Sequence, residues 1–212
     1  MEEKKLNVIY AGRLSYSDAL EMQLQTQKSR LENKIEDTII FVEHPPVLTT
    51  GRRDQSHNIF IDPAAVGAEL VKTNRGGEVT YHGPGQIVGY VILDLNQYKK
   101  GIKSFVFDLE EVFIRLLIEK YSISSYRDKK HRGVWVDDAK ITAVGLAVNH
   151  GITMHGFAFN VNTDLSHFEW IVPCGIQGKA VTSLEKLTGK VLDMAVVQQE
   201  ILEYFKDVFN YL

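Results

Sequence analysis

The alternation of apolar and polar positions divides the chain into short strand-like runs and three longer helical stretches. Leu6–Tyr10 predicts a first strand. From Ser15 to about Leu31 the pattern is helical, with Ser15 as the cap and Asp18 three residues later. Thr38–Val42 (TIIFV) is apolar and β-branched, the signature of a buried strand, and His44-Pro45-Pro46 stops it. Val47–Thr50 predicts the next strand. Asp62-Pro63-Ala64-Ala65 reads as a cap followed by proline at the first helical position, so a short helix is expected there.

Gln86–Leu95 is a further strand, and Ser104–Tyr121 places Phe105, Leu109, Val112, Phe113 and Leu116 at helical spacing. Gly133–Val136 and Lys140–Val148, separated by Asp137-Asp138-Ala139, suggest a hairpin. Met154–Val161 alternates as a strand, and Val197, Ile201, Tyr204, Phe205 and Val208 give the last helix its apolar face. Strands dominate the middle with helices interspersed, which predicts an α+β fold with a mixed β-sheet and flanking helices. No repeat, linker or compositional break divides the chain, so residues 1–212 are expected to form a single domain.

Composition narrows the picture. Of 212 residues, 44% are hydrophobic and 24% charged, which excludes disordered, collagenous and low-complexity classes. Lys and Arg number 24 against 27 Asp and Glu, a net charge of −3, so nothing suggests a nucleic-acid binder. No apolar run approaches the ~20 residues that cross a bilayer, and the N-terminal run is too short for a signal peptide. The protein is expected in the cytoplasm, away from membranes. Its one cysteine, Cys174, excludes an internal disulfide and a thiolate-rich zinc site.

The most unusual stretch is Arg75-Gly76-Gly77-Glu78-Val79-Thr80-Tyr81-His82-Gly83-Pro84-Gly85-Gln86. Glycines let a ligand approach the backbone closely and can present bare N–H groups to it. Arg75 and His82 bracket the cluster, which favours a site over a plain turn. Neither GxxxxGK[ST] nor a helix-opening GxGxxG is present, so an ATPase P-loop and a dinucleotide site lack support.

Cys174 sits in Val172-Pro173-Cys174-Gly175, which predicts a shaped turn with room beside the sulfur at the glycine. A free thiol of pKa roughly 8.5 is only a few per cent thiolate at neutral pH. A neighbouring cation would raise that fraction. Lys140, His82 and His155 are the possible partners, and spacing alone does not choose between them. From spacing alone, a solvated turn residue is the favoured reading of Lys140.

Four blocks, RGGEVTYHGPGQ (75–86), KITAVG (140–145), HGFAFNVNTDL (155–165) and PCG (173–175), occur in the order found in lipoyl(octanoyl) transferases, which this sequence resembles over most of residues 38–190. The resemblance implies a fold similar to the catalytic domain of biotin and lipoate protein ligases. It also implies an octanoyl-[acyl carrier protein]:protein N-octanoyltransferase that needs no cofactor. Cys174 would take the octanoyl chain from the carrier thioester and pass it to a lysine ε-amine of an apo lipoyl domain, with Lys140 tuning the thiol. Substrate-binding segments fall on Arg75, Gly76, Gly77, Glu78, Val79, Thr80, Tyr81 and His82, on Ala143, Val144 and Gly145, and on Gly156, Phe157 and Ala158. Tyr81, Val144 and Phe157 are expected to line an apolar slot for the chain, and N–H groups near Gly76-Gly77 or after Cys174 to stabilise the oxyanion.

The implied partners are octanoyl-acyl carrier protein as donor and, as acceptors, the apo lipoyl domains of 2-oxoacid dehydrogenases and the glycine cleavage H protein. Arg52-Arg53, Lys99-Lys100-Lys103 and Lys129-Lys130-His131-Arg132 are basic clusters, any of which could steer an acidic carrier protein. Three other readings compete. An ATP-dependent lipoate or biotin ligase would not need Cys174. A cysteine peptidase would pair Cys174 with His82 and Asn160, and a binding module would hold the carrier protein without chemistry.

Overall fold

The structure, a computed structural model, describes residues 4–52, 58–98, 101–171 and 180–212. The chain opens with β1 (Leu6–Arg13), α1 (Tyr16–Leu31), β2 (Asp37–Glu43) and β3 (Val47–Thr50). A 3-10 turn at Pro63–Val66 leads to β4 (Glu69–Lys72), β5 (Thr80–His82), β6 (Gln86–Ile92), α2 (Leu95–Tyr98) and α3 (Gly101–Tyr121). Then come β7 (Tyr126–Arg127), β8 (Val134–Val136), β9 (Ala139–Asn149) and β10 (Ile152–Asn160). A second 3-10 turn at Leu165–Trp170 precedes β11 (Ala180–Val181), α4 (Leu184–Thr188) and α5 (Met194–Phe209).

Seven strands of the main sheet run in the order β1-β2-β6-β10-β9-β8-β7, and β11 pairs with β9. The β1–β2 and β9–β11 pairs are parallel and the others antiparallel, so the sheet is mixed, as expected. The TIIFV run is buried because β2 is covered on both faces. Ile39 and Phe41 join Ile87, Val91, Phe157 and Phe159 in a core closed by α3 and α5. Ile40 and Val42 point the other way, with Val88, Tyr90 and Ile92, toward α1. That is the period-2 alternation of a strand.

Helix α1 solves a different problem. Ser15 caps it, its Oγ accepting the Asp18 N–H at 3.1 Å, but the buried stripe (Tyr16, Ala19, Gln23, Thr26, Gln27 and Arg30) is largely polar. It faces the start of β10, where the ladder to β6 is interrupted. Gln23 Oε1 accepts the His155 N–H at 3.0 Å, and Gln27 Nε2 donates to the Ile152 carbonyl at 3.1 Å. The helix completes backbone bonding that the sheet leaves open.

Several boundaries differ from expectation. The strand from Gln86 ends at Ile92, because Asp94 accepts the Asn96 N–H at 2.9 Å and starts a helical turn. Strand β1 runs on to Arg13 through a bulge between Tyr10 and Arg13. The expected hairpin is β8–β9, with Asp137 at φ 48° in its turn. A second sheet, β4-β3-β5, was not foreseen: its strands have 4, 4 and 3 residues, and β5 hides inside the glycine-rich stretch. Leu48, Val79, Tyr81, Phe168 and Ile171 form its own small core.

Candidate active site

The 75–82 segment, β9, β10 and the 130–132 turn close around a cavity of about 590 Å³, within the range of small-molecule sites. The residues proposed from sequence converge on it. Arg75, Gly76, Gly77, Glu78, Val79, Thr80 and His82 form one wall. Ala143, Val144 and Gly145 of β9, with Gly156, Phe157 and Ala158 of β10, form another. Gly145 eases this closure, since a Cβ there would make a tight 3.1 Å contact with the Gly76 carbonyl.

Tyr81 is the exception. On β5, Thr80 and His82 face the cavity, so the residue between them faces the opposite way. Tyr81 is 1% exposed, packs edge-on against Phe168 and Trp170, and bonds His167 Nδ1 at 2.7 Å. It lines no acyl slot; Val144 and Phe157 do line the cavity, as expected. A second correction concerns the oxyanion donors. The Gly76 N–H donates to the Leu146 carbonyl at 3.0 Å and is spent on holding the loop to β9. Gly77, at φ 86°, is what remains of that proposal in this loop.

Arg75 is a clamp within the wall. Its Nη2 donates to both the carbonyl and Oγ1 of Thr49 at 2.8 Å, tying the glycine-rich segment to β3. This buried guanidinium also acts on the histidines. Burial, His44 and Arg75 disfavour the charged form of His82 and push its pKa down to about 3, although its bond to Gln86 opposes this. Burial and Arg75 lower His155 to about 4. Both rings are neutral at physiological pH, so neither supplies a cation.

Their tautomers follow from their bonds. Asn160 Nδ2 donates to the Thr182 carbonyl and Gln86 Nε2 to Asn160 Oδ1, which turns Gln86 Oε1 toward His82 Nδ1 at 2.7 Å. His82 Nδ1 therefore carries the proton, and Nε2 the lone pair. Asn160 is committed to this relay and to the β11 junction, which leaves it unavailable as the orienting residue of a peptidase.

Lys140 is no solvated turn residue. It is 8% exposed on β9, its Nζ donates to the Arg132 carbonyl at 2.9 Å, and it stands 4.9 Å from the Trp135 ring. It lines the same cavity. Cys174 lies outside the described residues, so its expected proximity to Lys140 is not part of the geometry above. Arg53, Lys99 and Lys100 lie outside them too. Of the basic clusters, Arg52, Lys130, His131 and Arg132 stand at the cavity, whereas Lys103 is exposed away from it.

The sequence reading missed Tyr16, Val88, Tyr90, Ile102, Val106 and Leu146, which also line the cavity. Their contribution is apolar surface or a buried hydroxyl, and nothing in local spacing separates them from ordinary core. Burial raises the Tyr16 hydroxyl to about 12, so it keeps its proton at neutral pH.

This architecture is that of the lipoate and biotin protein ligases. A putative lipoate protein ligase from T. acidophilum with bound lipoic acid superposes with a TM-score of 0.75 at 13% identity, covering 99% of this chain and 87% of that one. A biotin protein ligase from Aquifex aeolicus gives a TM-score of 0.56 at 15% identity over 98% of this chain and 69% of that one. Residues 15–206 match the family described as "Lipoyl protein ligase A/B catalytic domain", and the chain belongs to it. Within that family it falls among the octanoyltransferases. The protein so named from Alkaliphilus metalliredigens (strain QYMF) is 51% identical over 97% of this chain and 96% of its own length.

Proposed function

We propose that the chain transfers an octanoyl group from octanoyl-acyl carrier protein to the lysine ε-amine of apo lipoyl domains, with Cys174 as the transient carrier. Octanoyl transfer in lipoate assembly is supported by the relatives at about half identity, which are named octanoyltransferases. The finer steps follow from chemistry. The Cys174 thiolate attacks the carrier thioester, the pantetheine thiol leaves with a proton, and a new thioester holds the chain. The target amine then attacks, an amide forms, and the thiol is regenerated. Lys140 stabilises the thiolate and relays the protons. A thioester donor is already activated, so the route needs no nucleotide or other cofactor.

The observation that carries this reading is a buried lysine at the wall of an apolar cavity flanked by neutral histidines. The chain also returns beside that lysine soon after Cys174. Val181 pairs in register with Lys140, and the Thr182 N–H donates to the Lys140 carbonyl at 3.0 Å. Val88, Val106, Val144 and Phe157 give the cavity apolar surface for an acyl chain, each buried CH₂ being worth about 0.8 kcal/mol. The acceptors are lipoyl domains of 2-oxoacid dehydrogenases and the glycine cleavage H protein. Residues 1–212 act as one catalytic domain in the cytoplasm; among the described residues no helix is long and apolar enough to cross a membrane.

Intact-mass analysis tests the mechanism. Mixed with octanoyl-carrier protein, the parent gains one octanoyl group and loses it when apo lipoyl domain is added, without ATP. Cys174→Ala gains none, and Lys140→Ala retains a small fraction of the loading rate with its fold unchanged. Normal transfer by Cys174→Ala, or transfer only from free octanoate with ATP, overturns the proposal.

A further inference from the structure

Glu110 is a carboxylate in the apolar stripe of α3. It lies between Leu109 and Val112 on the buried face and is 1% exposed. Its Oε1 accepts the Gly133 N–H at 2.8 Å. The carbonyl of that same peptide unit, belonging to Arg132, accepts the Lys140 ammonium at 2.9 Å. One peptide group thus joins a buried carboxylate to a buried ammonium. An anion at its N–H end enriches the carbonyl oxygen, a cation at its oxygen sharpens the N–H, and each bond strengthens the other in a low-dielectric setting.

The backbone is shaped to permit this. Gly133 has φ 123°, a conformation open to glycine, and a Cβ there would collide with the Thr142 carbonyl. Around the pair, Arg127 on β7 lies 3.6 Å from Glu110 Oε2, Arg132 flanks it from the turn, and Lys140 faces it from β9. On its own helix, Glu111 turns instead to Arg115 and Arg127. Burial is the largest influence and holds the Glu110 carboxyl above the ordinary carboxylate range, with the Gly133 N–H and the three cations opposing it.

We infer that Glu110 is a positioning residue which, through the Arg132–Gly133 peptide, fixes the Lys140 ammonium at the cavity wall. The inference rests on the reading of Lys140 as partner of the Cys174 thiol. A purely structural Glu110 would affect folding alone. A positioning Glu110 changes the protonation behaviour of the thiol as well.

The single cysteine makes the test specific, because alkylation by iodoacetamide reports Cys174 alone. The rate against pH gives the thiol midpoint for the parent and each variant. Glu110→Gln keeps the shape and an acceptor for Gly133 while removing the charge. It is expected to raise the midpoint by about half a unit to one unit, slowing alkylation roughly three- to tenfold near neutrality. Glu110→Asp falls between parent and Gln, Glu111→Gln stays with the parent, and Lys140→Met shifts at least as far as Glu110→Gln. A parent-like midpoint in Glu110→Gln beside a shifted Lys140→Met overturns the inference and leaves the Cys174–Lys140 reading standing. A parent-like Lys140→Met overturns that reading itself. If Glu110→Gln does not fold, the Gly133 amide proton decides: Lys140→Met must move its NMR resonance upfield, and an unchanged resonance overturns the inference.

Discussion

His82 and His155 stand in the sequence as two possible cations, and their surroundings make them neither. Each is buried beside Arg75, and each has a ring nitrogen bonded to a side-chain amide oxygen, His82 to Gln86 and His155 to Asn74. Their protonation carries a stability consequence whose sign is fixed. With native pKa values of about 3 and 4 against ~6.5 when unfolded, the unfolded state takes up protons first as pH falls. The contribution is constant above pH ~6.5 and is lost progressively as pH falls toward about 4 for His155 and about 3 for His82, on the order of 2 kcal/mol per ring by pH 5. Urea unfolding at pH 7 and pH 5 checks this: His155→Gln should lose less stability than the parent over that interval. An equal loss would mean the native ring is not held neutral. The residue types at these positions are legible in the sequence; their charge is not, because desolvation is set by segments from across the chain.

At the scale of elements, the helices show two ways of being placed. The stripe of Val197, Ile201, Tyr204 and Phe205 on α5 is buried as its spacing predicts. Helix α1 is held by a polar stripe instead, so periodicity of apolar residues could locate it only through its cap and length. Its bonds predict a cost. Gln23→Ala removes the acceptor of the His155 N–H and is expected to destabilise the fold by about 1–3 kcal/mol. The same change should loosen the cavity wall at β10, which hydrogen exchange at the His155 amide would register as faster exchange. Unchanged stability and exchange would show the bond to be dispensable. Strand β5 illustrates the opposite failure of legibility. Three residues inside a glycine-rich run carry too little pattern to be read as a strand, and that strand's pleat is what turns His82 inward and Tyr81 away.

Across the whole molecule, one buried carboxylate ties distant parts of the chain together. Asp37 on β2 receives Arg30 from α1 at 2.8 Å, the Tyr211 hydroxyl at 2.6 Å and the Asp94 N–H at 3.0 Å. Asp37→Ala leaves the Arg30 charge buried without that partner and is expected to cost about 3–5 kcal/mol, read as a lowered urea midpoint. Charge is also distributed unevenly over the molecule. The chain carries −3 overall, yet Arg52, Lys130 and Arg132 are exposed where the cavity opens. If they steer an acidic carrier protein, Arg52→Glu with Lys130→Glu should slow acyl loading and flatten its salt dependence. Loading as fast as the parent's at low salt would place docking elsewhere. By itself the sequence determined the order of the main strands and helices and the four blocks that mark the family, because periodicity and short motifs are local properties. Only the tertiary structure decided that Lys140 is buried, that the histidines are neutral, that Tyr81 faces away and that Glu110 reaches Lys140 through a peptide. Each of those depends on which surfaces meet, and a linear pattern records which face of an element is apolar, never what that face will touch.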